Sequence, residues 1–348
     1  MRCTRSGSSG LHRGPAAPTR SWSMPTSYAG RSATDSPLAI VGELRQRRPD
    51  LRIRWGVADH GQWTPPGVEP VLLRSAEWYD VLARAVVVVT NTDMEPWWRR
   101  RSSQVVVQTF HGYPSKAMGR QQWEGLELAP SQVVAQRRRG VDTWDLILTP
   151  SPEMTRVYRD QYDYHGAVHE RGYPRDDVLI GPQAAALRAA ARRQLGVADD
   201  QALVLYAPTW RDNQAVRARA AGSADLLDLA RAARRLGPGF VLALRGHRFH
   251  QTSLPPPHPD AAPVLDVTEH PEINDLILAC DAAVLDYSSL RFDLALVRRP
   301  MVFLVPDLAE YAATTRGFLY PFEESAPGPL VTDNGRSAWW PRSSTCPV

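Results

Sequence analysis

Lysine is nearly absent from this chain. Lys116 is the only lysine among 348 residues, so arginine supplies almost all of the 41 basic side chains. The formal net charge is +4 and the isoelectric point is about 9.1. This balance favours an anionic partner, namely a phosphate ester, a polyanionic polymer or a lipid surface. A composition that replaces lysine with arginine throughout accounts for the same charge equally well.

Cysteines and long apolar runs are scarce too. Cys3 and Cys346 lie near the two ends of the chain, and Cys280 lies in an apolar run. This placement gives neither a disulfide framework nor a zinc spacing, which indicates a reducing cytoplasm. No apolar stretch approaches the roughly 18 residues of a membrane-spanning helix, and no apolar core follows the N-terminal arginines as in a secretory signal. We therefore expect any membrane contact to be peripheral.

Several chemical motifs are missing as well. The sequence has no metal-ligand spacing, no glycine-rich phosphate loop with its lysine, and no Gly-x-Gly-x-x-Gly after a strand. ATP hydrolysis and dinucleotide redox chemistry are therefore disfavoured. We expect the protein to use neither a metal ion nor a cofactor.

The chain is too long for one typical domain, and two domains of roughly 150 residues are expected. Residues 1–28 are rich in Ser, Gly, Pro and Arg without periodicity, which predicts disorder. Strand-like and helix-like segments then alternate, which predicts parallel sheets in domains at 29–181 and 182–333. The pattern stops before residues 334–348, an irregular tail that we interpret as a truncation or a change of reading frame.

Four short polar clusters each follow an apolar, strand-like run. They are residues 108–114, 206–211, 245–247 and 286–289. In open α/β sheets, ligands bind at the carboxyl ends of the strands. Clusters that share this placement and are rich in His, Arg and hydroxyl groups predict a single cleft that handles phosphate.

Two of the clusters carry groups suited to proton transfer and phosphate binding. A neutral imidazole at His111 can accept a hydroxyl proton, and Gly112 lets a substrate approach the backbone. Arg245 can bind phosphate in bidentate fashion, and His247 can donate to a phosphate oxygen as charge develops. The alternatives are a structural histidine at His111 and two surface cations at 245 and 247, but the match among the four clusters favours the chemical interpretation.

Hydroxyl groups dominate the remaining clusters. Ser288 and Ser289 precede a helix, and a serine in this position ordinarily caps the helix N-terminus. The N-terminus of a helix also attracts anions. Asp293 lies one turn into that helix and can hold a sugar or glycerol hydroxyl. Thr209 offers a further donor to phosphate or ribose.

In this order, the clusters resemble the CDP-glycerol glycerophosphotransferase family, which builds teichoic acid and related polyol-phosphate polymers. The resemblance covers roughly residues 30–332. It implies an α/β fold of the GT-B type, with two Rossmann-like, doubly wound parallel-sheet domains facing a central cleft. It also implies a CDP-glycerol or other CDP-polyol donor, a polyol-phosphate or lipid-linked acceptor, and no nucleic acid partner. Such proteins work on the inner face of the cell membrane, as peripheral proteins of the cytoplasm.

The resemblance also implies roles for individual residues. His111 resembles the catalytic base, and His247 is a second catalytic position. The implied substrate-binding residues are Phe110, Gly112, Pro114, Arg175, Pro208, Thr209, Arg245, Gly246, Ser288, Ser289 and Asp293. Phe110 replaces the usual Trp and Tyr113 a small residue, and both changes are expected to reshape the acceptor side.

The predicted reaction is attack of an acceptor hydroxyl on the β-phosphorus of CDP-glycerol, with release of CMP, in the synthesis of a teichoic acid-like polymer. One alternative is a GT-B glycosyltransferase that uses a nucleotide sugar, where the bond breaks at the anomeric carbon. The other is a truncated, inactive protein that binds an anionic polymer or a membrane surface.

Overall fold

Two parallel sheets organise the chain. The computed structural model describes residues 21–26, 30, 32–209, 227–246, 254–315 and 317–332. Its first sheet contains β1 (Ser21–Thr26), β2 (Arg52–Val57), β3 (Glu69–Leu72), β4 (Val87–Thr90), β5 (Val105–Gln108), β6 (Leu146–Thr149) and β7 (Ala167–Glu170). The strand order is β3-β2-β1-β4-β5-β6-β7, and every described pair is parallel. The order reverses between β1 and β4, which opens a crevice at their carboxyl ends.

The second sheet repeats this plan. It contains β8 (Ala202–Ala207), β9 (Phe240–Leu244), β10 (Val264–Asp266), β11 (Ala282–Leu285), β12 (Met301–Leu304) and β13 (Leu330–Val331). The order is β10-β9-β8-β11-β12-β13, again with parallel pairs among the described strands. The order reverses between β8 and β11, where the second crevice opens.

Helices connect the strands. In the first half they are α1 (Asp35–Arg47), α2 (Ala76–Arg84), α3 (Gly119–Gly125), α4 (Pro130–Arg139), α5 (Pro152–Tyr162), α6 (Asp177–Ile180) and α7 (Ala184–Gln194). In the second half they are α8 (Leu229–Leu236), α9 (Ile273–Ala279), α10 (Leu290–Leu296), α11 (Leu308–Glu310) and α12 (Phe322–Ser325). None of the helices in the described ranges is long and apolar enough to cross a bilayer.

Four strands of the second sheet, β8, β9, β11 and β12, are buried on both faces, as their continuous apolar sequences predict. Leu203 and Leu205 of β8 pack into one core, whereas Val204 and Tyr206 pack into another. Alternate side chains of a strand point to opposite faces, so one run of residues supplies two cores. The polar residues that follow each run are thereby held at the carboxyl edge of the sheet.

Two sequence predictions need correction, and one is left open. Residues 21–26 form β1 inside the first sheet, so the prediction of disorder is wrong for them. Their Ser and Pro residues do not favour a strand, but β1 pairs with both β2 and β4. The apolar pair Val178-Leu179 predicts a short strand, but both residues lie in α6. The sheets change between Glu170 and Ala202, an interval that includes the predicted boundary at 182, whose position stays a prediction. The predicted tail at 334–348 and residues 1–20 lie outside the described residues.

Candidate active site

The four polar clusters lie at carboxyl ends of strands, as the sequence predicts. His111 follows β5 in the first domain, while Thr209, Arg245 and Ser288 follow β8, β9 and β11 in the second. The two edges meet at one point. A Cβ atom placed on Gly112 would lie only 2.7 Å from the Oγ of Ser289. The loop that carries His111 therefore lies directly against the Ser288-Ser289 turn.

His111 is held in one orientation by a backbone carbonyl. Its Nδ1 lies 2.7 Å from the carbonyl oxygen of Asn91, just after β4. A carbonyl only accepts, so Nδ1 carries the hydrogen and Nε2 keeps its lone pair. The exposed ring thus presents the tautomer that a general base needs.

Phe110 fixes the start of this loop. Its backbone has a left-handed φ of 54°, and its N–H donates to the Gln108 side chain at 2.8 Å. Its ring stacks on Tyr158, with centroids 4.0 Å apart, and meets Trp144 edge-on. This ring is buried in the core, so its placement does not support the predicted substrate contact. Phe110 instead holds the turn that presents His111.

A short backbone bridge ties the same loop to the second domain. Ala117 donates its N–H to the carbonyl of Gly317 at 3.2 Å, and Leu319 donates to the carbonyl of Ser115 at 3.0 Å. The Tyr320 hydroxyl donates to the carbonyl of Pro114 at 2.9 Å. Pro114 is buried in this bridge, so its predicted substrate contact is not supported by its placement either.

Tyr113, the other departure from the family pattern, joins the two domains. Its ring stacks on Phe292 of α10 with centroids 5.0 Å apart, and its hydroxyl donates to Asp176 at 3.2 Å. Burial, followed by the charges of Asp176 and Asp293, raises the pKa of Tyr113 well above its ordinary value. The hydroxyl therefore stays protonated and serves as a donor.

Arg175 lies at the centre of a buried charge cluster. Its guanidinium contacts Asp293 at 2.6 Å, Asp176 at 3.2 Å and Asp35 at 3.5 Å, and it donates to the carbonyl of His111 at 2.9 Å. All four charged side chains are at least nine-tenths buried. Arg175 and Asp293 are thus engaged with each other and with the His111 loop. Their predicted contacts with the donor stay a prediction, and the geometry favours positioning.

Three carboxyl groups share one guanidinium, so the cluster retains a proton. Burial raises the pKa of Asp293 to about 8, with Arg175 opposing the rise and Asp176 and Asp35 adding to it. The folded protein therefore binds more protons than the unfolded chain between about pH 4 and pH 8. By this sign, the stability contributed by Asp293 is complete at low pH and is lost as the pH rises through that window.

We expect the Asp293→Asn variant to lose less stability than the native protein between pH 5 and pH 8, because its amide stays neutral. The measurement is the urea midpoint of unfolding at several pH values, with the exposed Asp160→Asn as the control. Equal slopes in the Asp293→Asn and native proteins would contradict this assignment.

The cluster after β8 is organised by a buried carboxylate. Asp286 accepts from the N–H of Thr209 at 2.8 Å and from its hydroxyl at 2.5 Å. The hydroxyl hydrogen of Thr209 thus points to Asp286, which places the turn after Pro208 at a fixed position. The predicted donation from Thr209 to a phosphate stays a prediction, and a ligand would have to compete with Asp286 for that hydrogen.

The cluster after β9 is partly described. Arg245 donates from Nη1 to the carbonyl of His270 at 2.9 Å, and the N–H of Gly246 donates to the Thr268 hydroxyl at 2.9 Å. These contacts orient the half-buried guanidinium at the carboxyl end of the strand. His247 lies outside the described residues, so its role stays a prediction.

Ser288 and Ser289 differ in their contacts. The Oγ of Ser288 accepts from the N–H of Leu290 at 3.2 Å, the capping interaction weighed from the sequence. Ser289 makes no capping bond, and its Oγ faces Gly112. Both side chains are half-buried, and both can donate a hydroxyl hydrogen towards the cleft.

Sequence reasoning missed Arg291, which supports this turn from below. Its guanidinium is buried and donates to the carbonyl of Ser288 and to the Ser325 hydroxyl, each at 3.0 Å. It also packs against the rings of Phe292 and Phe322. The available signal was an arginine among the apolar residues of α10. An arginine is buried in such a place only where its charge is paired or hydrogen-bonded.

In the described ranges, no three His, Cys, Asp or Glu side chains are placed together to hold a metal ion. The site instead combines one oriented imidazole, a guanidinium and paired hydroxyl groups. This set suits proton removal on one side and anion binding on the other.

The wider comparison agrees with these features. Residues 23–338 match the family described as CDP-glycerol:poly(glycerophosphate) glycerophosphotransferase. The chain belongs to this family. The match covers all four polar clusters and all of the strands except the first two residues of β1.

Individual relatives are teichoic acid proteins. The chain is 30% identical over 317 residues to the teichoic acid poly(glycerol phosphate) polymerase of Bacillus subtilis, covering 88% of this chain but only 41% of that protein. It is 29% identical to the teichoic acid glycerol-phosphate transferase of Staphylococcus aureus, covering 88% of this chain and 79% of the relative. The chain thus spans less than half the length of the Bacillus subtilis polymerase.

Solved structures confirm the GT-B architecture. The wall teichoic acid polymerase TagF superposes with a TM-score of 0.80 at 26% identity, over 91% of this chain and 78% of that chain. A variant of TagF soaked with CDPG gives the same TM-score at 25% identity. The predicted fold, two Rossmann-like domains around a cleft, is therefore confirmed.

Proposed function

We propose that this chain transfers glycerol phosphate from CDP-glycerol to a hydroxyl group of a polyol-phosphate acceptor, with release of CMP. Membership of the glycerophosphotransferase family supports the reaction class. The observation that carries the proposal is the placement of His111, whose base-competent tautomer lies beside the Ser288-Ser289 turn.

The proposed chemistry balances as a single displacement. Nε2 of His111 takes the proton from the acceptor hydroxyl, and the acceptor oxygen attacks the β-phosphorus of CDP-glycerol. A new phosphorus–oxygen bond forms there, while the bond from that phosphorus to the CMP oxygen breaks. CMP departs with the electron pair of that bond, and His247 is proposed to donate to the departing phosphate.

Candidate anion-binding groups follow β9 and β11 of the second domain. We assign Arg245, Ser288 and Ser289 to the pyrophosphate of the donor, because guanidinium and hydroxyl groups stabilise charge on phosphate oxygens. Gly246 and Gly112 keep the backbone open for close approach. Arg175 and Asp293 act as positioning residues, because they connect the His111 carbonyl to α10.

We further propose that the protein works as a peripheral protein at the inner face of the membrane, on a lipid-linked acceptor in the cytoplasm. Two observations support this location. The chain carries a net charge of +4, which attracts anionic lipid, and the named relatives make teichoic acid.

The direct experiment is CMP release. We expect CMP from CDP-glycerol in the presence of a glycerol-phosphate acceptor, less from CDP-ribitol, and no nucleotide release from UDP-sugars. An inactive polymer-binding protein predicts the opposite result, binding of acceptor or anionic liposomes without any CMP. Release from UDP-sugars in place of CDP-polyols would replace the proposal with a glycosyltransferase.

The contact between Gly112 and Ser289 gives a test of the cleft. In Gly112→Ala, the new Cβ would displace the Ser289 hydroxyl, because the two atoms would lie 2.7 Å apart. A serine hydroxyl can rotate away, so we expect stability to hold while kcat/KM for CMP release falls about tenfold, the effect of one lost hydrogen bond to a charged group.

The matched control is a double-variant cycle. Ser289→Ala alone should lower kcat/KM by a similar factor, and the double variant should be no worse than either single variant, because both remove the same hydroxyl from the cleft. Strictly additive losses would show that Ser289 does not mediate the effect of Gly112→Ala.

A further inference from the structure

An arginine-lined cavity lies on the first domain, outside the cleft. Its volume is about 460 Å³, and it is lined by Arg99, Arg100, Arg138, Asp142 and Thr143. Arg99 and Arg100 come from the segment before β5, whereas Arg138 lies in the last turn of α4. Two separate parts of the chain therefore bring guanidinium groups to one concave surface.

The charges at this cavity are unbalanced. Arg100 pairs with Asp145 at 3.3 Å, and Arg137 of the same region lies 3.4 Å from Asp142. In the described part of the chain, no carboxylate pairs with Arg99 or with Arg138, and both side chains are exposed. Arg99 is oriented by the carbonyls of residues 96 and 98, to which its Nη1 donates at 2.8 and 2.7 Å.

The cavity and His111 lie at opposite ends of β5. Arg100 and Asp145 lie before the starts of β5 and β6, whereas His111 follows the carboxyl end of β5. Four residues at roughly 3.3 Å each give a separation of about 13 Å along the strand. The segment between β4 and β5 connects the two places, since the carbonyl of Asn91 holds His111 and the N–H of Met94 bonds to the carbonyl of Arg139 at 3.1 Å.

We propose that this cavity binds a phosphodiester of the acceptor polymer behind its growing end. The inference rests on the proposed transferase function. A polyol-phosphate chain carries a negative phosphodiester in every unit, so a chain whose terminal hydroxyl lies at His111 and which runs back along the domain towards the amino end of β5 presents earlier phosphates to the cavity. A guanidinium group can bind two phosphate oxygens at once. The lining of the cavity includes Arg99 and Arg138, which form no ion pair with a carboxylate of the described residues.

The subsite gives long acceptors an advantage over short ones. A single glycerol-phosphate unit at His111 does not reach the cavity, whereas a long chain occupies both places. Affinity for the acceptor therefore rises with chain length, and the protein favours extension of an existing polymer over the first addition.

The test compares KM for two acceptors, a single glycerol-phosphate unit and a long poly(glycerol phosphate), by CMP release. Arg99→Gln and Arg138→Gln are each expected to raise KM for the long acceptor about tenfold, as expected for one lost charge-assisted bond. KM for the single unit and kcat on either acceptor are expected to change less than twofold. Arg193→Gln, an exposed arginine on α7, is the matched control.

Direct titration separates this proposal from the transferase proposal. If the native protein releases no CMP, the transferase function fails, but poly(glycerol phosphate) still tests the cavity by binding. Native binding that is weakened in Arg99→Gln and Arg138→Gln supports the subsite. If both variants bind the polymer as tightly as the native protein does, the proposal is overturned. If in that case the variants lose only their binding to phosphatidylglycerol vesicles, the cavity binds a lipid headgroup instead. Equal KM ratios for long and short acceptors in all proteins overturn it as well.

Discussion

The His111→Ala variant is expected to release CMP about a thousandfold more slowly than the native protein, within the range for loss of a general base. The ring is exposed and lies outside the buried core, so the fold should tolerate its loss. The measurement is the initial rate of CMP release at saturating CDP-glycerol, with thermal unfolding recorded on the same samples.

Two further variants sharpen this result. His165→Ala removes an exposed histidine of the same domain and should leave the rate unchanged. His111→Gln keeps polar atoms at the site but cannot accept the proton, so it should be nearly as slow as His111→Ala. A rate in His111→Ala above a tenth of the native rate, together with normal unfolding, would remove His111 from the mechanism.

Replacement of Arg175 by alanine should destabilise the protein by about 3–5 kcal/mol, the usual result of breaking a buried ion pair on one side. The change leaves Asp35, Asp176 and Asp293 buried without their shared cation. It also removes the hydrogen bond to the carbonyl of His111, so activity should fall together with stability. Urea denaturation at neutral pH measures the loss.

The control variants for Arg175 separate the effect of its charge from the effect of its side-chain geometry. Arg171→Ala, at an exposed position four residues earlier, should change stability by less than about 0.5 kcal/mol. Arg175→Lys keeps the charge but loses the fork, so it should fall between the native protein and Arg175→Ala. Adding Asp176→Asn to Arg175→Ala should restore part of the loss, because it removes one buried carboxylate that has lost its cation. Absence of any such recovery would show that the charge of Asp176 does not depend on Arg175.

Sequence patterns predicted the scaffold of the site well. The runs at 203–205 and 282–285 are continuously apolar and form strands buried on both faces, while the apolar run at 105–107 forms β5, where Val105 is exposed. Once those strands are parallel, the polar clusters after them must lie at carboxyl ends. The juxtaposition of His111 with the Ser288-Ser289 turn depends in addition on how the two sheets pack, because the two places follow strands of different sheets.

Other features had no local signal. The ring of Phe110 lies in the core, and the backbone of this residue is left-handed. The identity of one aromatic residue does not predict such a φ angle. The pair between Arg175 and Asp293 joins residues 118 positions apart, so it depends on domain packing. β1 was missed because its Ser and Pro residues contradict strand propensity, which neighbouring strands overrode.

The backbone bridge between residues 115–117 and 317–319 has a consequence for how the enzyme cycles. The loop that carries His111 is hydrogen-bonded to the second domain, which is proposed to bind the nucleotide. A hinge movement that parted the two halves would either rupture this bridge or carry the loop along with the nucleotide side. Entry of substrate and placement of the His111 loop are therefore linked, because the loop keeps its backbone bonds to residues 317 and 319 only while the two halves are docked.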